Sequence, residues 1–187
     1  MALQFWSDPH LGLTRTSHTT PQSRIKLRQA LLDQALAIVN EKHTEDFSFC
    51  LGDLFDTTSN EESVIAQASA VVSQCEIVLA GNHDVANRDG KISSLELLGR
   101  IDPETAVALY DHSSDYFRTQ YALDARPFTV VSVPHKRTQA LFEQTLRRVW
   151  SENPKRLGNT TILLLHCNYE SPFATDDATL NLSRELA

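Results

Sequence analysis

An α/β fold is predicted by three features of the chain. Short β-branched or aromatic runs alternate with longer segments of helical periodicity, and those runs end repeatedly in Asp, Asn, Gly or His. The third feature is size. At 187 residues, 41% hydrophobic and 22% charged, the chain has ordinary globular usage and enough length for one sizeable core. One domain over residues 1–187 is expected. Wholesale disorder and fibrous repeats are excluded by the same composition. No apolar stretch approaches the ~18 residues that a bilayer span requires. Met1–Asp8 has no basic region followed by an apolar run, so it does not read as a signal peptide. Three cysteines, Cys50, Cys75 and Cys167, do not make a disulfide framework, and a reducing cytoplasm is the expected compartment.

The elements follow in order. Leu3–Ser7 is aromatic and apolar and reads as a first strand, leading directly into Asp8-Pro9-His10. Thr20-Pro21 opens a helix, with Pro at its favoured first position and Leu31, Leu32, Ala35, Leu36 and Val39 at helical spacing. Phe47–Leu51 is the second strand and runs into Gly52-Asp53-Leu54-Phe55-Asp56. Ser59 with Glu62 predicts a capping box before a helix bearing Val64, Ile65, Ala68, Val71 and Val72 on one face. Glu76–Ala80 contains the third strand, followed by Gly81-Asn82-His83-Asp84. Ile92–Leu98 reads as a short helix that Asp102-Pro103 stops. Val107–Tyr110 and Tyr116–Leu123 are strand candidates around the polar loop 111–115. Thr129–Val133 is a strand ending at Pro134, and Leu141, Phe142, Thr145, Leu146, Val149 and Trp150 trace another helix. Thr160–Leu165 is the last strong strand, and Thr179–Ala187 reads as a helix with Asp176 and Asp177 as its caps.

Asp8 and His10, Asp53 and Asp56, Asn82 and His83, and finally His166 all stand just past the carboxyl end of a predicted strand. Ligand sites in open α/β sheets collect at that edge. Turn residues are common after any strand, but four such loops rich in metal-ligating side chains are hard to explain that way. Carboxylate, imidazole and amide oxygen together suit Mn²⁺, Fe or Zn²⁺ better than an iron–sulfur centre. Asp8 and His10 are two apart, so on an extended segment they would face the same way. Gly52 lets the chain turn sharply and approach a ligand at Asp53. Two metals about 3.5–4 Å apart would suit the hydrolysis of a shielded phosphodiester.

With Asp8-Pro-His10, Gly52-Asp53-Leu-Phe-Asp56, Gly81-Asn82-His83-Asp84 and His166 in this order, the chain resembles the calcineurin-like metallophosphoesterase superfamily. Asp8–Gly12 and Gly52–Asp56 are most similar to the SbcD-type DNA repair exonucleases. The resemblance implies a sandwich of two mixed β-sheets flanked by helices. It implies two divalent metal ions, Mn²⁺ first, with Fe, Zn or Mg as alternatives. Asp8 and His10 would hold one, Asn82 and His166 the other, and Asp53 would bridge them. His83 would orient the scissile phosphate or protonate the leaving oxygen, and Asp56 would hold the His83 ring. A hydroxide activated by the two metals would attack. The implied function is DNA exonuclease or endonuclease activity, with a possible coiled-coil ATPase partner and a possible homodimer, and no membrane association. Hydrolysis of small phosphate esters or nucleotides is the alternative within the class. A non-catalytic binding or scaffold protein that keeps the fold is the alternative outside it.

The family's Gly-His-x-His does not follow His166, and the tail Cys167–Ala187 has no further histidine. The expectation is therefore a domain incomplete at its carboxyl end, and a chain weakly active or inactive as it stands. His135-Lys136-Arg137 follows a strand at Pro134 and is assigned to the substrate-binding rim. His18 and His43 read as solvent-exposed, and Asp111-His112-Ser113 as a polar loop rather than a triad. Residues 118–158 hold Arg118, Arg126, Lys136, Arg137, Arg147, Arg148, Lys155 and Arg156 against Asp124, Glu143 and Glu152. That excess reads either as a track for a phosphate backbone or as a solvated helix face. The global charge of −7 does not decide the substrate.

Overall fold

The structure is a computed structural model that describes residues 2–13, 20–41, 46–85, 91–101, 107–108, 115–152, 160–169 and 180–183. His18, His43, the Asp111–Ser113 loop, Lys155, Arg156, Asp176 and Asp177 lie outside the described residues.

Strands β1 (Leu3–Trp6), β2 (Phe47–Cys50), β3 (Ile77–Leu79) and β4 (Val107–Ala108) form one sheet in that order, parallel throughout. The helices α1 (Pro21–Asn40), α2 (Glu62–Val72) and α3 (Ser94–Ile101) intervene in sequence. A second, mixed sheet holds β5 (Phe117–Leu123), β6 (Arg126–Val133) and β7 (Thr160–Leu165), with α4 (Gln139–Glu152) between the last two. Alternation along the strands assigns the layers. On β2, Cys50 points to the α1–α2–α3 side with Trp6 and Val78, while Phe49 points away with Ile77 and Leu79. On β6, Val130 and Phe128 meet Phe49 and Leu79 between the sheets, while Val131 and Val133 pack against Phe142, Leu146 and Val149 of α4. The result is a helix–sheet–sheet–helix sandwich.

Local chemistry accounts for the element ends. Thr20 caps α1, its Oγ1 accepting from Ser23 N at 3.3 Å, and Pro21 takes the first turn. The Ser59–Glu62 capping box does not form, since α2 starts after Glu61 with no side-chain cap. Asn60 N instead donates to Ser94 Oγ at 2.9 Å, and Asn60 Nδ2 donates to the Thr57 carbonyl at 2.6 Å. Those bonds tie the segment to the start of α3 and delay the helix. Ser93 caps α3 by accepting from Glu96 N at 3.1 Å, so that helix starts later than the sequence pattern suggests. The expected carboxyl-terminal helix is also corrected, because Asn181–Leu182 (β9) is a strand pairing in parallel with Asn168–Tyr169 (β8). Gln139 on α4 brackets Asn181, accepting from its N at 3.0 Å and donating to its carbonyl at 2.8 Å. With backbone bonds satisfied sideways, the segment stays extended.

The β5–β6 hairpin turns on Asp124 and Ala125, both left-handed at φ 48° and 64°. Two such residues suit the twist of flanking strands, but Ala pays a steric penalty there that Gly does not. Ala125→Gly is expected to stabilise the protein by about 0.5–1 kcal/mol, after allowing for the freer unfolded chain. Urea unfolding checks this, and an unchanged or lower midpoint would refute it.

Candidate metal centre

The site forms where the first sheet's loops run on together. Beyond β1 and β2 the pairing continues as bonds between loops, from Asp8 N to the Gly52 carbonyl at 3.0 Å, His10 N to the Asp53 carbonyl at 3.2 Å and Leu11 N to the Leu54 carbonyl at 2.8 Å. The segment is not extended. Asp8, His10 and Asp53 all adopt positive φ, at 58°, 44° and 52°. Left-handed non-glycine residues are uncommon and cost energy, and here they gather at one place. Asp8 and His10 therefore approach each other by a coiled route, with His10 Nε2 4.0 Å from Asp8 Oδ1.

Among the described residues, donor atoms collect in two groups, each within 4.8 Å of one another. One is His10, Asp56 and His83, and the other is Asp8, Asp53 and His166. Asn82 joins the second group, its Oδ1 lying 3.1 Å from His166 Nε2. His166 Nδ1 donates to the Leu51 carbonyl at 2.9 Å. This bond turns Nε2 toward Asn82 and toward Asp53 Oδ2, 3.5 Å away. Ligating imidazoles are commonly held this way by their other nitrogen. Burial opposes a charge on His166, but the hydrogen bond and negative charge of Asp53 outweigh it and push its pKa up to about 8. Burial would likewise raise Asp53, yet the bonds from His166 and His83 N hold it below the usual carboxylate range. In the metal-free protein, the imidazolium thus supplies the positive charge between two acceptor oxygens.

The other group fits a cation as well. His10 Nδ1 is sealed from solvent, has no hydrogen-bond partner among the described residues and lies 3.8 Å from Asp56 Oδ1. The His10 and His83 rings meet edge to face at 5.0 Å. His83 Nδ1 donates at 2.7 Å to Asp56, but to its main-chain carbonyl rather than its carboxylate. Asp56 thus positions the His83 ring through its backbone, and its side chain turns to His10. An orphaned imidazole nitrogen beside a buried carboxylate is the donor chemistry that a divalent ion would satisfy.

Asp84 has no assigned role in the sequence reading, yet it organises the site. At 1% exposure, its carboxylate accepts from Leu54 N at 3.2 Å, Phe55 N at 3.0 Å and Gly81 N at 2.9 Å. The loops carrying Asp53 and Asn82–His83 are joined through it. Burial pushes its pKa up to about 6 despite those three donors. The signal available in the sequence was only its place in Gly81–Asp84.

The assigned rim residues separate. His135 is 8% exposed, its N donates to the Ala80 carbonyl at 2.9 Å, and it lines a cleft of about 230 Å³ with Asp8, Asn82 and His166. Burial first, then the charge of His166, push its pKa down to about 4 against the pull of Asp53. Lys136 leaves the rim altogether, since it is 0% exposed and its Nζ donates to the Asp115 carbonyl at 2.7 Å. Arg137 is exposed but does not line that cleft. On α4, Arg148 pairs with Glu152 at 2.7 Å and Asp115 at 2.9 Å, and Arg147 lies 3.9 Å from Glu143. The basic stretch there is a solvated, locally neutralised face.

A family model described as Calcineurin-like phosphoesterase matches residues 5–184. No curated protein matches the chain. Among solved structures, the chain is similar to that of a protein of unknown function, AQ665, from Aquifex aeolicus. That match has 16% identity and a TM-score of 0.42, and covers 98% of this chain and 89% of the other.

Proposed function

The chain belongs to the calcineurin-like phosphoesterases, and from that membership we propose that it is a Mn²⁺-dependent DNA nuclease of SbcD type. Metal-dependent phosphoester hydrolysis is the general chemistry of this domain. The observation that carries the reading is the gathering of donor atoms past the strand ends of both sheets: Asp8, Asp53 and His166 within 4.8 Å of one another, His10 Nε2 4.0 Å from Asp8 Oδ1 and Asn82 Oδ1 3.1 Å from His166 Nε2. Bound divalent ions would supply the positive charge that draws in a phosphate and acidifies water. Asp8, His10, Asp53, Asn82 and His166 would hold them. His83, its Nδ1 fixed by the Asp56 carbonyl, presents Nε2 to the leaving oxygen and gives it a proton. DNA is preferred because of the likeness of Asp8–Gly12 and Gly52–Asp56 to that nuclease group. Asp8 is half-exposed and His10 30% exposed, so the site is open to a polymer. A coiled-coil ATPase partner, a homodimer and a cytoplasmic setting belong to the same proposal.

Any degradation of linear duplex DNA should require Mn²⁺, and His83→Ala should slow it by about 10² or more. Turnover of p-nitrophenyl phosphoesters with DNA left intact would assign the protein to small phosphoesters instead. Calorimetry showing no Mn²⁺ uptake would remove both readings.

A further inference from the structure

His135 lies outside both donor groups, yet it faces the same cleft as Asp8, Asn82 and His166. Its main chain is pinned to the Ala80 carbonyl, two residues before Asn82, so its position relative to the site is set by β3. Its Nδ1 is sealed from solvent and has no hydrogen-bond partner among the described residues. A proton on Nδ1 would bury an N–H with no acceptor, which is costlier than burying a bare lone pair. The ring proton therefore sits on Nε2, the nitrogen at the outer end of the ring. Among the described residues none offers Nε2 an acceptor, which leaves Nε2 available to a molecule in the cleft.

We propose that His135 donates a hydrogen bond from Nε2 to a non-bridging oxygen of the bound phosphate, on the Asn82–His166 side of the site. It is a substrate-positioning residue, not a metal ligand. The assignment rests on the phosphoesterase reading and narrows it. A phosphate is the fitting partner because divalent ions held by Asp8, Asn82 and His166 would draw it into this cleft, and it presents acceptor oxygens on every side.

Inorganic phosphate is the probe, titrated by calorimetry into protein preloaded with Mn²⁺, with Mn²⁺ affinity measured separately. His135→Phe keeps a flat ring without a donor and should weaken phosphate binding about tenfold or more, with Mn²⁺ affinity within about twofold. His135→Gln carries an amide nitrogen near the Nε2 position and should restore most of the binding. His135→Glu, the same size as Gln but an anionic acceptor, should bind phosphate no better than His135→Phe and stands in for it if that variant does not fold. Unchanged phosphate affinity in His135→Phe or His135→Glu would overturn the assignment. So would a parallel loss of Mn²⁺ affinity, which would make His135 a ligand, or rescue by Phe but not Gln, which would make it a core side chain. Failure of the wild-type protein to take up Mn²⁺ would be a separate result that removes the phosphoesterase reading and this assignment with it.

Discussion

Asp84→Ala should destabilise the metal-free protein by about 3–5 kcal/mol in urea unfolding. The substitution strands the N–H groups of Leu54, Phe55 and Gly81, all now bonded to one carboxylate that is 1% exposed. Leaving a buried donor unpaired costs roughly 1–3 kcal/mol each. Removing a buried carboxyl offsets part of that, since burial already pushes the Asp84 pKa up to about 6. Asp84→Asn should lie between Ala and wild type. Its one oxygen can still serve Leu54 N and Gly81 N, while its NH₂ would face Phe55 N–H, so a loss of about 1–2 kcal/mol is expected. A loss below about 1 kcal/mol for Asp84→Ala would mean that water reaches those donors and that Asp84 is not the pin between the loops. The order of the variants matters too. Asn falling below Ala would show that its NH₂ facing Phe55 N–H costs more than its one acceptor oxygen returns.

The strands were legible as β-branched and aromatic runs, while their layering in two sheets was implied by the family resemblance. Adjacent positions such as Phe49 and Cys50, or Val130 and Val131, divide between two different cores. The convergence of the loops after β1, β2 and β3 was also legible, since parallel strands bring their carboxyl ends to one edge, whereas His166 reaches it from β7 of the second sheet. What escaped is the chemistry of main-chain partners. The family resemblance implied that Asp56 would hold the His83 ring, and the acceptor is its main-chain carbonyl at 2.7 Å. Lys136 was placed on the rim because it follows the strand ending at Pro134, yet it is buried, which lysine almost never is without a partner. A carbonyl 21 residues earlier, at Asp115, allows it. The left-handed backbone at Asp8 and His10 had no signal either. Asp and His are enriched in that region but still seldom adopt it, and here it accompanies the bonds to Gly52 and Asp53. The tail was misread for a related reason, because Gln139, remote in sequence, satisfies the backbone of Asn181.

Gly81→Ala should weaken Mn²⁺ binding about 10–100-fold, and hydrolysis should fall with it. A Cβ at Gly81 would overlap Asp53 N and Oδ1 and stand 2.9 Å from its Cγ. None of those atoms is a free end. Asp53 N is backbone, and Oδ1 accepts from His83 N at 3.0 Å. Either the Asp53 carboxylate moves off the site, or the Gly81 loop moves and pulls its N–H from Asp84. Both routes disturb the donor group that includes Asp53, so the loss is expected whichever yields. Gly12→Ala separates this from ordinary glycine strain. Its φ of 81° makes alanine unfavourable there too, and the new Cβ would stand 2.6 Å from Asn60 Oδ1 and 3.0 Å from Val64 Cγ1. Those atoms are side-chain ends away from the two donor groups. Gly12→Ala should therefore lose stability, by about 1 kcal/mol or more, while keeping its Mn²⁺ affinity. Equal Mn²⁺ losses in the two variants would trace the effect to general loosening of the fold. An unchanged affinity in Gly81→Ala would show that Asp53 does not hold metal from the position it occupies here.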